Sequence, residues 1–280
     1  MLLTLGGAAG CSGGEETTAP PPTTTETPPP PTTPPETAPP ATATPTAGEQ
    51  RDSTRELMQG HFSRAASAHD ALVRADLEQA REDMAWLATH EEGMDIPEPL
   101  RPRLAEMQAE AAHFGEATTL TEAATAYART LARCGACHAA AHSGPEIAQP
   151  PLPEGETAEA RMRRHQWASD RMFDGLVMAN ADVFRQGNDA LTSAPLTQGE
   201  LPGTETQPPE QVVALTTHVQ TLGREAAQAT DDDARASIYG RYLATCATCH
   251  RLLEGGAPEA LQQGPAPTPA PTPEPTPAPQ

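Results

Sequence analysis

The chain is written twice. Met58-Gln-Gly-His61 recurs as Met162-Arg-Arg-His165, and Asp70-Ala-Leu-Val73 as Asp174-Gly-Leu-Val177; Arg81 pairs with Arg185 and Leu87 with Leu191, all at an offset of 104. Tyr127-Ala-Arg129-Thr-Leu131-Ala132 recurs as Tyr239-Gly-Arg241-Tyr-Leu243-Ala244 at an offset of 112. The difference of eight residues falls in the Pro/Gly-rich segment Pro195–Pro209, which reads as a longer loop in the second copy. Both copies then end on the same pattern, Cys134-Gly-Ala-Cys137-His138 and Cys246-Ala-Thr-Cys249-His250.

Each copy reads as four helices. In the first, Ser53 and Glu56 have the spacing of a capping box, and Met58, His61, Ala65, His69 and Leu72 follow at helical spacing. A second helix is predicted over Leu77–Thr89. A third starts near Pro97–Leu100, because Pro is tolerated in a first turn. A fourth begins at Thr119-Leu-Thr-Glu122 and carries Cys134 to His138. The second copy repeats the scheme, with Thr230 and Asp231–Asp233 opening its last helix, where acidic residues complement the dipole. The expected fold class is all-α: two tandem four-helix bundles of about 95 residues each.

Composition sets the ends apart from this core. The 32 prolines are concentrated in Ala19–Thr46 and Gly264–Gln280, which lack the apolar side chains needed to offset ordering entropy. The expected organisation is a leader at 1–11, a Pro/Thr-rich tether at 12–50, repeat domains at 51–146 and 157–257, and a Pro-rich tail at 258–280. Aromatic residues make up only 3% of the chain, too few to fill two small cores. Something else must supply the bulk.

The cysteines supply the chemistry. Cys-x-x-Cys-His is the attachment signature for c-type haem. On a helix, two Cys three apart share a face and can each form a thioether, and the following His presents its imidazole to the iron. The expected cofactors are therefore two haem c groups, joined through Cys134, Cys137, Cys246 and Cys249, with His138 and His250 as proximal ligands. A Cys₄ zinc site would bring the pairs within about 15–20 residues, and a thioredoxin-like pair needs a βαβ context. Neither fits this spacing or these flanks.

The position of the motif selects among cytochromes. After His250 only 30 residues remain, with no Met and no His. A fold with the motif near the domain's N-terminus and a later Met ligand therefore cannot be built around the second haem. The arrangement resembles the cytochrome c′ type, a four-helix bundle whose last helix carries Cys-x-x-Cys-His, here in tandem duplication. That resemblance implies a distal residue from the first helix of each copy. His61 and His165 stand there in register, and Met58 and Met162, one turn earlier on the same face, are second choices. Tyr127, Arg129, Tyr239 and Arg241 are candidates either for haem-propionate contacts or for closing the helix packing. His69, His90, His113, His142 and His218 have no counterpart and read as surface or core residues.

The start of the chain, an apolar run ending in Ala8-Ala9-Gly10-Cys11, resembles the tail of a bacterial lipoprotein signal, with Cys11 as the lipidation candidate. The alternative is an ordinary export signal with a chance Cys. Either way the expected location is outside the bacterial cytoplasm: periplasmic, or tethered to the outer membrane by a lipid. A net charge of −20 argues against nucleic acid and leaves two readings, a solvated acidic surface with no partner or docking to redox protein partners with basic surfaces. The sequence-level expectation is a non-enzymatic electron carrier with two six-coordinate haems. The alternative is a gas-binding (NO or CO) or peroxidase-like haem protein with an open distal site.

Overall fold

The computed structural model describes residues 47–90, 96–193 and 209–253. The leader with Cys11, the tether up to residue 46, residues 194–208 of the longer loop and the chain from residue 254 lie outside the described residues, whereas residues 47–50, expected in the tether, belong to the first helix. The described residues form one compact unit of helices with no strand, as expected for an all-α protein. In chain order they are α1 (Ala47–Val73), α2 (Leu77–Thr89), α3 (Arg101–Glu116), α4 (Leu120–Ala140), α5 (Ala158–Val177), α6 (Ala181–Ser193), α7 (Pro209–Ala226) and α8 (Asp232–Leu253). Among these residues no helix is long and apolar enough to cross a membrane.

Local signals explain most of the boundaries. Thr119 accepts from the Glu122 N–H at 3.2 Å while the Glu122 carboxylate takes the Thr119 N–H at 3.1 Å, so the reciprocal cap opening α4 is formed. Asp76 caps α2, Thr157 caps α5 and Asp231 caps α8, each taking an N–H three residues on. A short 3-10 turn, Glu98–Leu100, leads into α3, with Pro102 in its first turn. One expectation fails. Helix α1 begins at Ala47, so Ser53 lies inside the helix and does not open it. Ala47, Glu49, Gln50 and Arg51 are strong helix formers, and no breaker stands between Gly48 and Ser53.

Within each repeat the helices pack in sequence, α1 on α2 on α3 on α4, and α5 on α6 on α7 on α8. The two repeats also pack extensively on each other. Helices α4 and α8 lie side by side, α4 reaches α5, and α8 reaches α1. The crossing of α4 and α8 is close because Gly240 has no side chain: a Cβ there would sit 2.6 Å from Thr125 Cα. A main apolar core shared by the repeats results, with a smaller cluster of Leu215 and Leu252 apart from it. The main core runs without a break from Ala68 and Leu72 on α1, through Tyr127 and Leu131 on α4, to Leu176 on α5 and Tyr239 and Leu243 on α8. Each such large side chain, fully buried, contributes about 1.5–3 kcal/mol.

Polar ties fix the periphery of this core. Asp83, fully buried on α2, receives Arg64 of α1 at 2.8 Å and the Gln79 amide at 3.1 Å. Tyr242 on α8 donates to Asn188 of α6 at 2.9 Å, and the Asn188 amide donates to the Gly223 carbonyl of α7 at 3.3 Å. A buried amide and hydroxyl are thus satisfied by each other across three helices.

Candidate functional site

Cys134, Cys137 and His138 fall three and four residues apart near the end of α4, and so share one face of that helix. Cys246, Cys249 and His250 do the same on α8. No disulfide joins these four cysteines. Burial pushes the Cys134 and Cys246 thiols up to about 12, with the neighbouring Cys137 or Cys249 adding to the rise. Cys137 is raised by burial too, with Arg103 pulling the other way. Among the described residues no cluster of three or more His, Cys, Asp or Glu could hold a bare metal ion, so the two pairs do not converge on one zinc site.

In the second copy the sequence candidates come together. A cavity of about 320 Å³ is lined by Cys246, Cys249 and His250 on one side, and by His165 and Met162 of α5 on another. Leu215 and Val219 of α7 supply apolar wall. The volume falls in the ~300–1,000 Å³ range of cofactor and ligand sites. The other repeat contributes wall too, through His69, Asp70 and Val73 of α1.

In the first copy the candidate distal residue is placed differently. The His61 ring lies 5.3 Å from the Trp86 ring and 5.8 Å from that of His90, both on the α2 side, and Trp86 and His90 stack at 3.9 Å. Its Nε2 is buried without a hydrogen-bond partner, and burial, followed by the nearby His90, lowers its pKa to about 4. His61 is therefore a neutral imidazole with an unused ring nitrogen. In the second copy Ala190 occupies the register position of Trp86, so no indole stands there to engage His165.

Each motif histidine is held by the opposite repeat. His138 Nδ1 donates to the Val177 carbonyl at the end of α5, at 2.9 Å. His250 Nδ1 donates to the Val73 carbonyl at the end of α1, also at 2.9 Å. A carbonyl only accepts, so each Nδ1 carries the proton, and in the neutral ring Nε2 is left with a free lone pair. That is the tautomer an iron-ligating histidine needs, with the second-shell carbonyl such ligands generally have. At the second motif the donor set, the cavity and the tautomer fit a covalently held haem; at the first the donor set and the tautomer do.

The tyrosines make bonds within the helix packing. Tyr127 donates to the Ala65 carbonyl at 2.8 Å and Tyr239 to the Ser169 carbonyl at 3.1 Å, equivalent bonds from each repeat's last helix to its first. They close the helix packing. Arg241 forks onto Glu225 of α7, while Arg129 is exposed on the surface of α4.

Three features were not read from the sequence. His69, read only as a surface or core residue, is buried and bonded between the repeats, with Nε2 2.9 Å from Ser169 Oγ and Nδ1 3.4 Å from Asp70. Its lack of a counterpart was the signal, since Phe173 holds the equivalent position. Arg171 and Asp174 form a buried ion pair on α5. Burial outweighs the attraction of Arg171 and raises the Asp174 carboxyl to about 6. The third is the pair of valine carbonyls, which no side-chain pattern reports. No family model, curated protein or solved structure matches this chain.

Proposed function

We propose that the protein is an exported dihaem c-type cytochrome that carries electrons between redox partners. It is built as a tandem duplication of the cytochrome c′ type, with one haem on the last helix of each copy. The observation that carries this reading is the convergence of Cys246, Cys249, His250, His165 and Met162 on one cavity. Haem c supplies reversible one-electron chemistry when bound. The chain's part is to attach it through Cys134, Cys137, Cys246 and Cys249, and to ligate iron through His138 and His250. Apolar side chains such as Leu215 and Val219 keep water from the second site, and His165 or Met162 closes its far side. Axial ligand identity tunes haem potential over about 0.8 V, and paired histidines place it toward the low end. An acidic surface favours partners with basic docking faces, and export with a lipid on Cys11 would hold the carrier at a membrane.

A second reading is favoured by the position of His61. If that ring stays with Trp86 and His90, the first haem keeps an open face that takes a small gas. The absorption spectrum of the reduced protein before and after carbon monoxide separates the readings. Two haems and an unchanged low-spin spectrum support the carrier; a half-sized Soret shift assigns an open first site. Protein that contains no haem after expression in a host that attaches haem c refutes both.

A further inference from the structure

The two proximal histidines, in the reading above, find their hydrogen-bond acceptors on helices that belong to the other copy. The ends of those helices show how this is arranged. Helix α1 closes with Arg74 N–H on Asp70 O, Asp76 N–H on Ala71 O and Ala75 N–H on Leu72 O. Helix α5 closes identically, with Met178 on Asp174, Asn180 on Gly175 and Ala179 on Leu176. The last carbonyls of a helix have no intrahelical partner, and here the turn satisfies three of them in succession. The next carbonyl in each case, Val73 or Val177, takes the histidine of the opposite repeat.

Both caps are bought with strain. Ala75 at φ 57° and Ala179 at φ 50° stand in the left-handed region, where a helix end normally carries Gly. An alanine there costs about 1 kcal/mol, and the same unfavourable choice is made at both equivalent places. The approach of α4 to the second cap is just as specific. Gly135 lies so near that a Cβ would fall 2.1 Å from Leu176 O and 3.0 Å from Ala179 N.

We propose that the Val73 and Val177 carbonyls are the positioning groups for the iron-ligating histidines of the opposite copies, so that neither haem site is complete within its own repeat. Each carbonyl lies at the negative end of a helix dipole. It fixes the plane of the imidazole, keeps the proton on Nδ1, and makes Nε2 a stronger donor to iron, which holds the potential down. Helices α1 and α5 consequently serve both sites. Helix α1 carries His61 of one and Val73 of the other; α5 carries His165 and Val177.

The inference rests on the dihaem reading, and haem content distinguishes the two failures. A full-length protein with no haem overturns both; one with two haems leaves only the positioning groups in question. In that protein, reduced under carbon monoxide so that every iron is low-spin and diamagnetic, proton NMR locates the two Nδ1–H protons. Cross-relaxation of the His138 proton with Val177–Met178, and of the His250 proton with Val73–Arg74, is the expected result. Contacts only within each histidine's own repeat would overturn the proposal. Gly135→Ala supplies the functional readout. It should raise the midpoint potential of one haem, seen as half the titration amplitude, and leave the other in place. Gly223→Ala, whose Cβ would meet the Thr192 side chain away from both histidines, should move neither. A Gly135→Ala protein with lowered stability but both potentials unchanged would show that the carbonyl contact does not position the ligand.

Discussion

Replacing His69 with Phe and Ser169 with Ala, singly and together, converts the seam between the repeats to the residues at its symmetry-related positions. Those positions hold Phe173 and Ala65. Ser169→Ala leaves the His69 Nε2, now 2.9 Å from Ser169 Oγ, buried without its partner. A buried polar atom so orphaned costs about 1–3 kcal/mol, and about 2 kcal/mol is expected. His69→Phe is milder, because Ser169 Oγ still lies 3.3 Å from the Tyr239 hydroxyl; about 1 kcal/mol is expected, the ordinary net worth of a hydrogen bond. The double replacement removes donor and acceptor together and leaves an aromatic ring where Phe173 already shows one fits. Its cost should be about 1 kcal/mol or less, against about 3 kcal/mol if the two changes simply added. Urea unfolding at neutral pH reads this directly. With a slope near ~2 kcal/mol per molar, Ser169→Ala should lower the midpoint by about 1 M, and the double variant should recover most of that loss at an unchanged slope. Additive losses would mean that the His69–Ser169 bond is not formed, and the account of this seam would be wrong.

Gly240→Ala should destabilise the fold by about 1–3 kcal/mol, because its Cβ would meet α4 backbone and not a yielding side chain; differential unfolding against Gly115→Ala, which meets nothing, checks this. The Asp174 carboxyl, lifted to about 6 by burial despite Arg171 and helped upward by Asp170, binds its proton more tightly folded than unfolded. Its contribution is therefore complete below about pH 4 and is lost as pH rises through 6, at up to about 1.4 kcal/mol per unit. Stability measured across pH 4–7 should slope downward less steeply in Asp174→Asn than in the parent, and an unchanged slope would remove Asp174 as its source.

How much of this was legible follows from where each interaction keeps its information. The second helix, the Thr119–Glu122 cap and the duplication are carried by side chains at fixed spacing, so the sequence displays them. The Cys-x-x-Cys-His face was equally plain. The start of α1 was not, because Ser53 and Glu56 imitate a cap in the middle of a favourable helical run. The positions of Val73 and Val177 were visible as a repeated Asp-x-Leu-Val string, but their role is performed by backbone oxygen, which leaves no residue preference behind. The caps that present those oxygens are hidden further by Ala75 and Ala179 standing where glycine would have announced a helix end. The placement of His61 depends on Trp86, whose register position in the second copy holds Ala190, a difference on a neighbouring helix that the register of the histidines does not weigh.

The relation between the repeats, in which the first grips the second's histidine and the second grips the first's by the same bond, has the form of an isologous contact. Two identical single-repeat chains meeting about a two-fold axis would make both bonds at once. Fusing them removes the dependence of assembly on concentration and, more consequentially, releases the two sides from identity. In a homodimer, a change that suits one pocket is imposed on the other. In the fused chain His69 lines the cavity of the second copy while Phe173 stands at the register position of His69, and Trp86 packs against His61 while an alanine, Ala190, stands at the register position of Trp86. Covalent linkage thus turns an obligatory symmetry into a pair of separately adjustable sites.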